Sequence, residues 1–211
     1  MVAEALALIG IALLVFVLLV TVYVATSRYK LAPSDQILVV YGNVKDKGSA
    51  ACYHGGGKIV WPLIQHFAYL DLKPMTISID LEHALSQQNI RINVPSTFTI
   101  GISTQPSVMQ NAAERLLGLG QPQIEDMAKE IIFGQLRLTV ASLTIEQINQ
   151  DREAFLERVS TNVDTELHKI GLYLINVNIT DITDEADYIA SIGAKAAAVA
   201  IADATVDRAE A

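Results

Sequence analysis

The chain is poor in cysteine and aromatics, and it has no cationic side chain in its first 27 residues. Cys52 is the single cysteine, which excludes an internal disulfide and a multi-cysteine zinc site. It reads as a small buried hydrophobe, and its place 27 residues after Ala25 argues against acylation there. Lys and Arg number 15 against 23 Asp and Glu, a net charge of −8. Binding to nucleic acid needs a basic face to meet phosphates, so that class is excluded. Broad adhesion of the whole body to anionic lipid is excluded on the same ground.

Charge is also missing from Ala5 to Ala25, a run of 21 residues. As a helix it spans about 30 Å, the thickness of a bilayer's hydrocarbon core. A cleaved signal peptide would need a basic start and a shorter apolar stretch. Here Glu4 precedes the run, Tyr23 sits where small residues are wanted, and only Ala25-Thr26-Ser27 imitates a cleavage site. An uncleaved single-pass anchor is expected. Arg28, Lys30 and Lys45 all follow it. The basic residues therefore place the N-terminus outside and the body in the cytoplasm, at the plasma (inner) membrane. Arg28 and Lys30 are candidates for headgroup contact. Tyr23 and Tyr29 suit an interfacial belt. Thr21 is the one polar side chain counted inside the span, so a pore or proton path built from it is not expected.

Strands are expected next, at 36–41, 58–62, 67–72, 76–82 and 90–102. In the last of these Ile90, Ile92, Val94, Phe98, Ile100 and Ile102 share one face, the period of two of a half-buried strand. Pro95 lacks an N–H and is expected at an edge or bulge. The pattern then turns helical. Pro122 suits a first turn, and Ile124, Met127, Ala128, Ile131 and Ile132 follow at helical spacing. Thr144-Ile-Glu-Gln147 reads as a capping box. Phe155, Leu156, Val159, Val163, Leu167 and Ile170 make another stripe, closed by His168, Lys169 and Gly171. A returning strand is expected with Tyr173, Ile175, Val177 and Ile179 on one face. Strands followed by helices and a returning strand give an α+β fold. From about Glu185 the chain is rich in alanine. Ile189, Ile192, Ala196, Val199 and Val206 form a narrow seam of the kind that packs closely on a partner helix. The segment 187–211 is expected to begin a longer coiled-coil helix.

No catalytic pattern emerges. His54-Gly55-Gly56-Gly57 imitates an oxyanion loop, but no G-x-S-x-G elbow accompanies it. Gly55-Gly56-Gly57-Lys58 lacks phosphate-loop spacing, so it reads as a glycine turn. His54, His66, His83 and His168 are scattered, and Cys52 with His54 does not define a metal site. Asp80, Glu82, Glu125, Asp126 and Glu130 fall on solvated faces. No catalytic, cofactor-binding or metal-binding residue is expected, and the chain does not read as an enzyme.

Four stretches carry a resemblance. They are GGGKIVWPLIQ at 55–65, LDLKPMTISIDLEHALSQQNIRINVPSTFTIGIS at 70–103, FGQLRLTVASLTIEQINQDREAFLERV at 133–159 and IGAKAAAVAIADATVDRAEA at 192–211. Together they resemble the flotillin branch of the SPFH (stomatin/prohibitin/flotillin, band 7) superfamily. The spanning helix at 5–25 is more similar to bacterial flotillin-like proteins than to the acylated animal ones. The resemblance implies a two-part SPFH body beside the membrane: an anchor at 1–27, a mostly β subdomain at 28–105, an α/β subdomain at 106–184 and a coiled-coil start at 185–211. It further implies large homo-oligomeric rings or cages that enclose a patch of lipid and client membrane proteins, a scaffold for a raft-like microdomain. The alternative is an oligomeric adaptor that regulates a membrane protease or transporter.

Overall fold

The computed structural model describes residues 2–42, 50–186 and positions 188, 191, 193, 194, 197, 198, 201 and 202. Lys45 and the seam residues Ile189, Ile192, Ala196, Val199 and Val206 lie outside the described residues. The chain is α+β and groups into two units, Met1–Leu72 with Thr104–Leu117 and Lys73–Ser103 with Gly118–Ala211.

The first unit opens with helix α1 (Val2–Arg28), which contains the expected span. Its stretch Ile9–Arg28 has a mean hydropathy of 2.7 and is not covered by the rest of the chain. The hydroxyls near its end are satisfied within the helix. Thr21 Oγ1 donates to the Leu18 carbonyl at 2.8 Å and Ser27 Oγ to that of Val24 at 2.9 Å. Strand β1 (Tyr29–Leu31) follows directly, then β2 (Gln36–Gly42), β3 (Ala50–His54), β4 (Gly57–Ile59) and β5 (Gln65–Asp71). β1 and β4 make a two-stranded antiparallel ribbon, and β3-β2-β5 make a three-stranded sheet. β2 is the central strand, and Ile37, Leu38, Val39 and Val40 are all buried, so its apolar run is continuous rather than alternating. Leu38 and Val40 pack with Ala32 and Val60, and Tyr53 closes that cluster. Helix α2 (Pro106–Arg115) packs against β3.

At the end of β2, Gly42 has φ +114°, and a Cβ there would lie 2.6 Å from the Ile64 carbonyl oxygen. Both the positive φ and the close backbone demand glycine. Gly42→Ala is expected to cost about 1–3 kcal/mol of stability, read as a lower thermal midpoint of the purified chain.

The second unit holds β6 (Met75–Leu85), β7 (Arg91–Ile102), helices α3 (Gln121–Ala141), α4 (Ile145–Gln150) and α5 (Arg152–Ile170), then β8 (Leu172–Ile179) and the short β9 (Thr183–Asp184). The sheet order is β6-β7-β8, with β9 also paired to β7. Ile92, Val94, Phe98, Ile100 and Ile102 are buried as the alternation requires, and Ser96 completes that face by donating to the Ile79 carbonyl at 3.3 Å. α3 packs on β6 and on α5, and α5 packs on β8. The expected caps are present. Thr144 Oγ1 accepts from the Gln147 N–H at 3.2 Å and Gln147 Oε1 accepts from the Thr144 N–H at 3.1 Å. Gly171 ends α5 with φ +93°.

Several expectations need correction. The boundary expected at 105/106 differs from this grouping. β7 pairs with β8, which carries 73–103 to the helices, while α2 rests on β3 and returns 104–117 to the first unit. Pro95 is not on an edge strand, because β7 is central. It sits where β7 passes from β8 to β9, and its carbonyl accepts both the Thr180 N–H at 3.0 Å and the Thr180 hydroxyl at 3.1 Å. The missing N–H thus faces a gap in the ladder. The strand expected at 58–62 stops at Ile59, and a turn follows. In β8 the expected face is wrong for its first half. A register shift between Thr99 and Ile100 leaves Ile175 unpaired, so Leu172 and Leu174 turn inward while Tyr173 and Ile175 are exposed.

Candidate membrane-contact surface

In the first unit the chain leaves α1 at Arg28 and enters the ribbon without a break. Residues alternate across the ribbon, so Tyr29, Leu31 and Ile59 share one face while Lys30 and Lys58, direct cross-strand partners, share the other. Tyr29, Leu31 and Ile59 are all exposed, and the Tyr29 ring occupies the space above Gly57 that a Cβ would need. The turn after β4 adds Trp61, Leu63 and Ile64. Leu63 is 92% exposed, the most of any large apolar side chain described.

This turn is built, not loose. The Ile64 and Gln65 N–H groups donate to the Trp61 carbonyl at 3.1 and 2.8 Å, and Gln65 Oε1 accepts from the Trp61 N–H at 3.3 Å. The Arg28 carbonyl accepts from the Val60 N–H at 3.0 Å, which ties β4 to the last turn of α1. Tyr69 donates its hydroxyl to the Leu31 carbonyl at 3.1 Å. Lys30 Nζ lies 5.0 Å from the centre of the Phe67 ring and Lys58 Nζ 5.2 Å from that of Tyr53. The two like charges stand side by side and are held by aromatic faces on the body side of the ribbon. An exposed apolar patch of this size marks a contact with another apolar phase. A helix with the length and composition of a bilayer span lies beside it. Trp, Tyr and snorkelling Lys are the side chains suited to a bilayer's boundary.

Of the residues named from sequence, Arg28 lies half-buried at the end of α1 beside this surface, and Lys30 lies on the opposite face of the ribbon. Sequence reasoning missed Leu31, Lys58, Ile59, Trp61, Leu63 and Ile64 because 58–62 reads as one buried strand. The signal was Pro62, which interrupts that strand. The histidines remain apart. His66 stacks on Tyr41, His83 meets the Glu185 carboxylate, and His168 Nδ1 lies 3.2 Å from Asp164 Oδ2. Cys52 donates to the Met109 carbonyl at 3.6 Å. Among the described residues there is no group of three or more His, Cys, Asp or Glu that could hold a metal ion.

The second unit carries a junction that leads into the Ala-rich segment. Glu185 meets His83 and also Arg91, at 3.9 Å, and Tyr188 donates its hydroxyl to Glu146 Oε1 at 2.7 Å. Gln88 Nε2 also donates to Glu146, at 2.9 Å. The Tyr188 hydroxyl is the largest influence holding the Glu146 carboxyl below its usual 4.5, and the same hydrogen bond raises the Tyr188 phenol above its usual 10.0. A lowered carboxyl contributes above its ordinary range and is lost as pH falls through its lowered value. A raised phenol contributes below its ordinary value and is lost as pH rises through its raised one. The contact therefore holds between these limits. Tyr188→Phe is expected to move the Glu146 titration back toward the ordinary carboxylate value, as measured by NMR of the side-chain carboxyl.

A helix long and apolar enough to cross a membrane, running into an exposed apolar ribbon on an α+β body, is the arrangement the SPFH class implies. The SPFH domain / Band 7 family model matches residues 30–211, and the chain belongs to that family. It is 28% identical to the "Flotillin-like protein FloT" of Bacillus subtilis over 97% of this chain and 42% of the relative. It is 27% identical to "Flotillin-2a" of Danio rerio over 87% of this chain and 42% of the relative. With human "Flotillin-2" the identity is 27% over 84% of this chain and 41% of the relative. The similarity is to the flotillin-like branch, and the chain spans about two fifths of the length of the curated relatives it matches.

Proposed function

We propose that the protein is a flotillin-like membrane scaffold whose copies assemble into large rings or cages and organise a membrane microdomain. The observation that carries this reading is the continuous apolar surface from α1 through the ribbon to Leu63, attached to a folded body. Each copy is anchored twice, by the span and by the Trp61 turn, with Arg28 and Lys30 at headgroup level. The body lies on the cytoplasmic side of the plasma membrane and the N-terminus outside, because Arg28 and Lys30 follow the span closely. Head-to-tail contacts repeated around an axis close a ring. The seam of Ile189, Ile192, Ala196, Val199 and Val206 continues the wall as a coiled coil. Many linked anchors then hold one patch of lipid and client proteins by avidity. The action is mechanical, without catalysis or cofactor.

Electron microscopy of the full-length protein, extracted with its native lipid, tests this directly. Large closed rings or cages with the bodies at the bilayer are expected. Small oligomers holding one client at fixed stoichiometry would replace the scaffold with an adaptor for a membrane protease or transporter.

A further inference from the structure

Between α1 and the Trp61 turn lies an apolar groove of about 410 Å³. One wall is the helix stripe Val20, Val24 and Arg28, spaced four apart and therefore stacked along a single face, with Ala25 beside it. The other wall is Ile59, Trp61 and Leu63. From Val20 to Arg28 the stripe runs about 12 Å along the helix axis. Both walls belong to the first unit, and the Val60 N–H bond to the Arg28 carbonyl fixes their spacing at the polar end.

We propose that this groove is a binding site for one acyl chain of a glycerophospholipid, with the lipid phosphate on the Arg28 guanidinium. The inference rests on the membrane reading above. One wall is the spanning helix itself, so the medium that meets the groove is lipid. The lining is apolar apart from Thr21, whose hydroxyl is satisfied by the Leu18 carbonyl, and is cationic only where the helix ends, which is the polarity of a phospholipid read from tail to head. A guanidinium offers paired donors that match phosphate oxygens. The volume falls within the usual range for small-ligand sites, about 300–1,000 Å³. Ala25 is the small residue that keeps the helix wall open, since a larger side chain there would project into the same space. Trp61 and Leu63 then serve two ends: their outer sides meet bulk lipid, and their inner sides hold one ordered chain.

The test uses the full-length protein in phosphatidylcholine vesicles containing phosphatidylglycerol with a diazirine midway along one acyl chain. After photolysis, mass spectrometry locates the adducts. Adducts at Val20, Thr21, Val24, Ala25 and 59–63 are expected to exceed those at Leu19 and Val22, on the opposite helix face, by about tenfold. Ala25→Phe, which fills the groove, is expected to bring the two faces level while flotation with vesicles stays unchanged. Arg28→Gln leaves the groove open and is expected to lower labelling of phosphatidylglycerol there by a smaller factor. Equal labelling of both faces, or labelling that ignores Ala25→Phe, overturns the groove and leaves the anchor standing. Protein that fails to float with vesicles overturns the membrane reading, and the groove with it.

Discussion

Leu63→Asp is expected to lift the Trp61 turn out of the bilayer while the protein stays in the membrane. Leu63 is 92% exposed, so the fold gives up no packing when it is replaced. Its burial in lipid contributes about 1.5–3 kcal/mol, and the aspartate charge opposes entry further. That shift is worth at least about a tenfold change in the population of the inserted turn. Trp61 is the single tryptophan of the chain, so its fluorescence reports on this turn alone. In the variant, Trp61 should show water-exposed emission, with quenching by brominated lipid lost. The helix α1 keeps the protein in the vesicle fraction. Unchanged quenching in the variant would mean that Leu63 does not hold the turn in lipid.

The second large effect falls on the body. Phe98 is fully buried on the central strand β7, opposite Ile77 on β6 and Val177 on β8. Phe98→Ala removes a ring from a site enclosed by two neighbouring strands, at a cost of about 3–5 kcal/mol. Whole domains are stable by only about 5–15 kcal/mol, so the variant should unfold at a much lower urea concentration. Tyr173→Ala, on the exposed face of β8, is the comparison, and surface changes of that kind usually stay within about 0.5 kcal/mol. A Phe98→Ala midpoint no lower than that of Tyr173→Ala would contradict the assignment of this face as the core.

Both predictions rest on features that differ in how visible they are in the chain. The alternation from Ile92 to Ile102 announces β7 because each second residue but Ser96 is apolar and all of them are buried. The caps of α4 and α5 are equally plain, since Thr144, Gln147 and Gly171 act through local hydrogen bonds and a local φ. What the chain hides are events set by tertiary contact. The shift at Thr99/Ile100 exchanges the faces of β8, and its one mark in the chain is Gly101, against which Tyr173 and Ile175 pack. Helix α2 buries only Val108, Met109, Ala112 and Ala113, too weak a stripe to stand out before the structure places it on β3. β3 itself opens on Ala50, Ala51 and Cys52, and alanine has little preference for strands.

The membrane-contact surface was half visible for a related reason. The span and the cations Arg28 and Lys30 are local signals. Leu31, Ile59, Trp61, Leu63 and Ile64 are apolar residues of ordinary kind, and a core position would use the same ones. Only the pairing of β1 with β4, and the turn held by the Trp61 carbonyl, turn them outward together. Lys58 gains meaning in the same way, by standing opposite Lys30.

The most direct test of the double anchor is Trp61 fluorescence of the unmodified full-length protein in vesicles whose phospholipids carry bromine at different depths. The account predicts blue-shifted emission, quenched most by bromine near the headgroup end of the acyl chain and least by bromine near its methyl end. Emission typical of water and indifferent to every brominated lipid would contradict it, leaving α1 as the sole attachment.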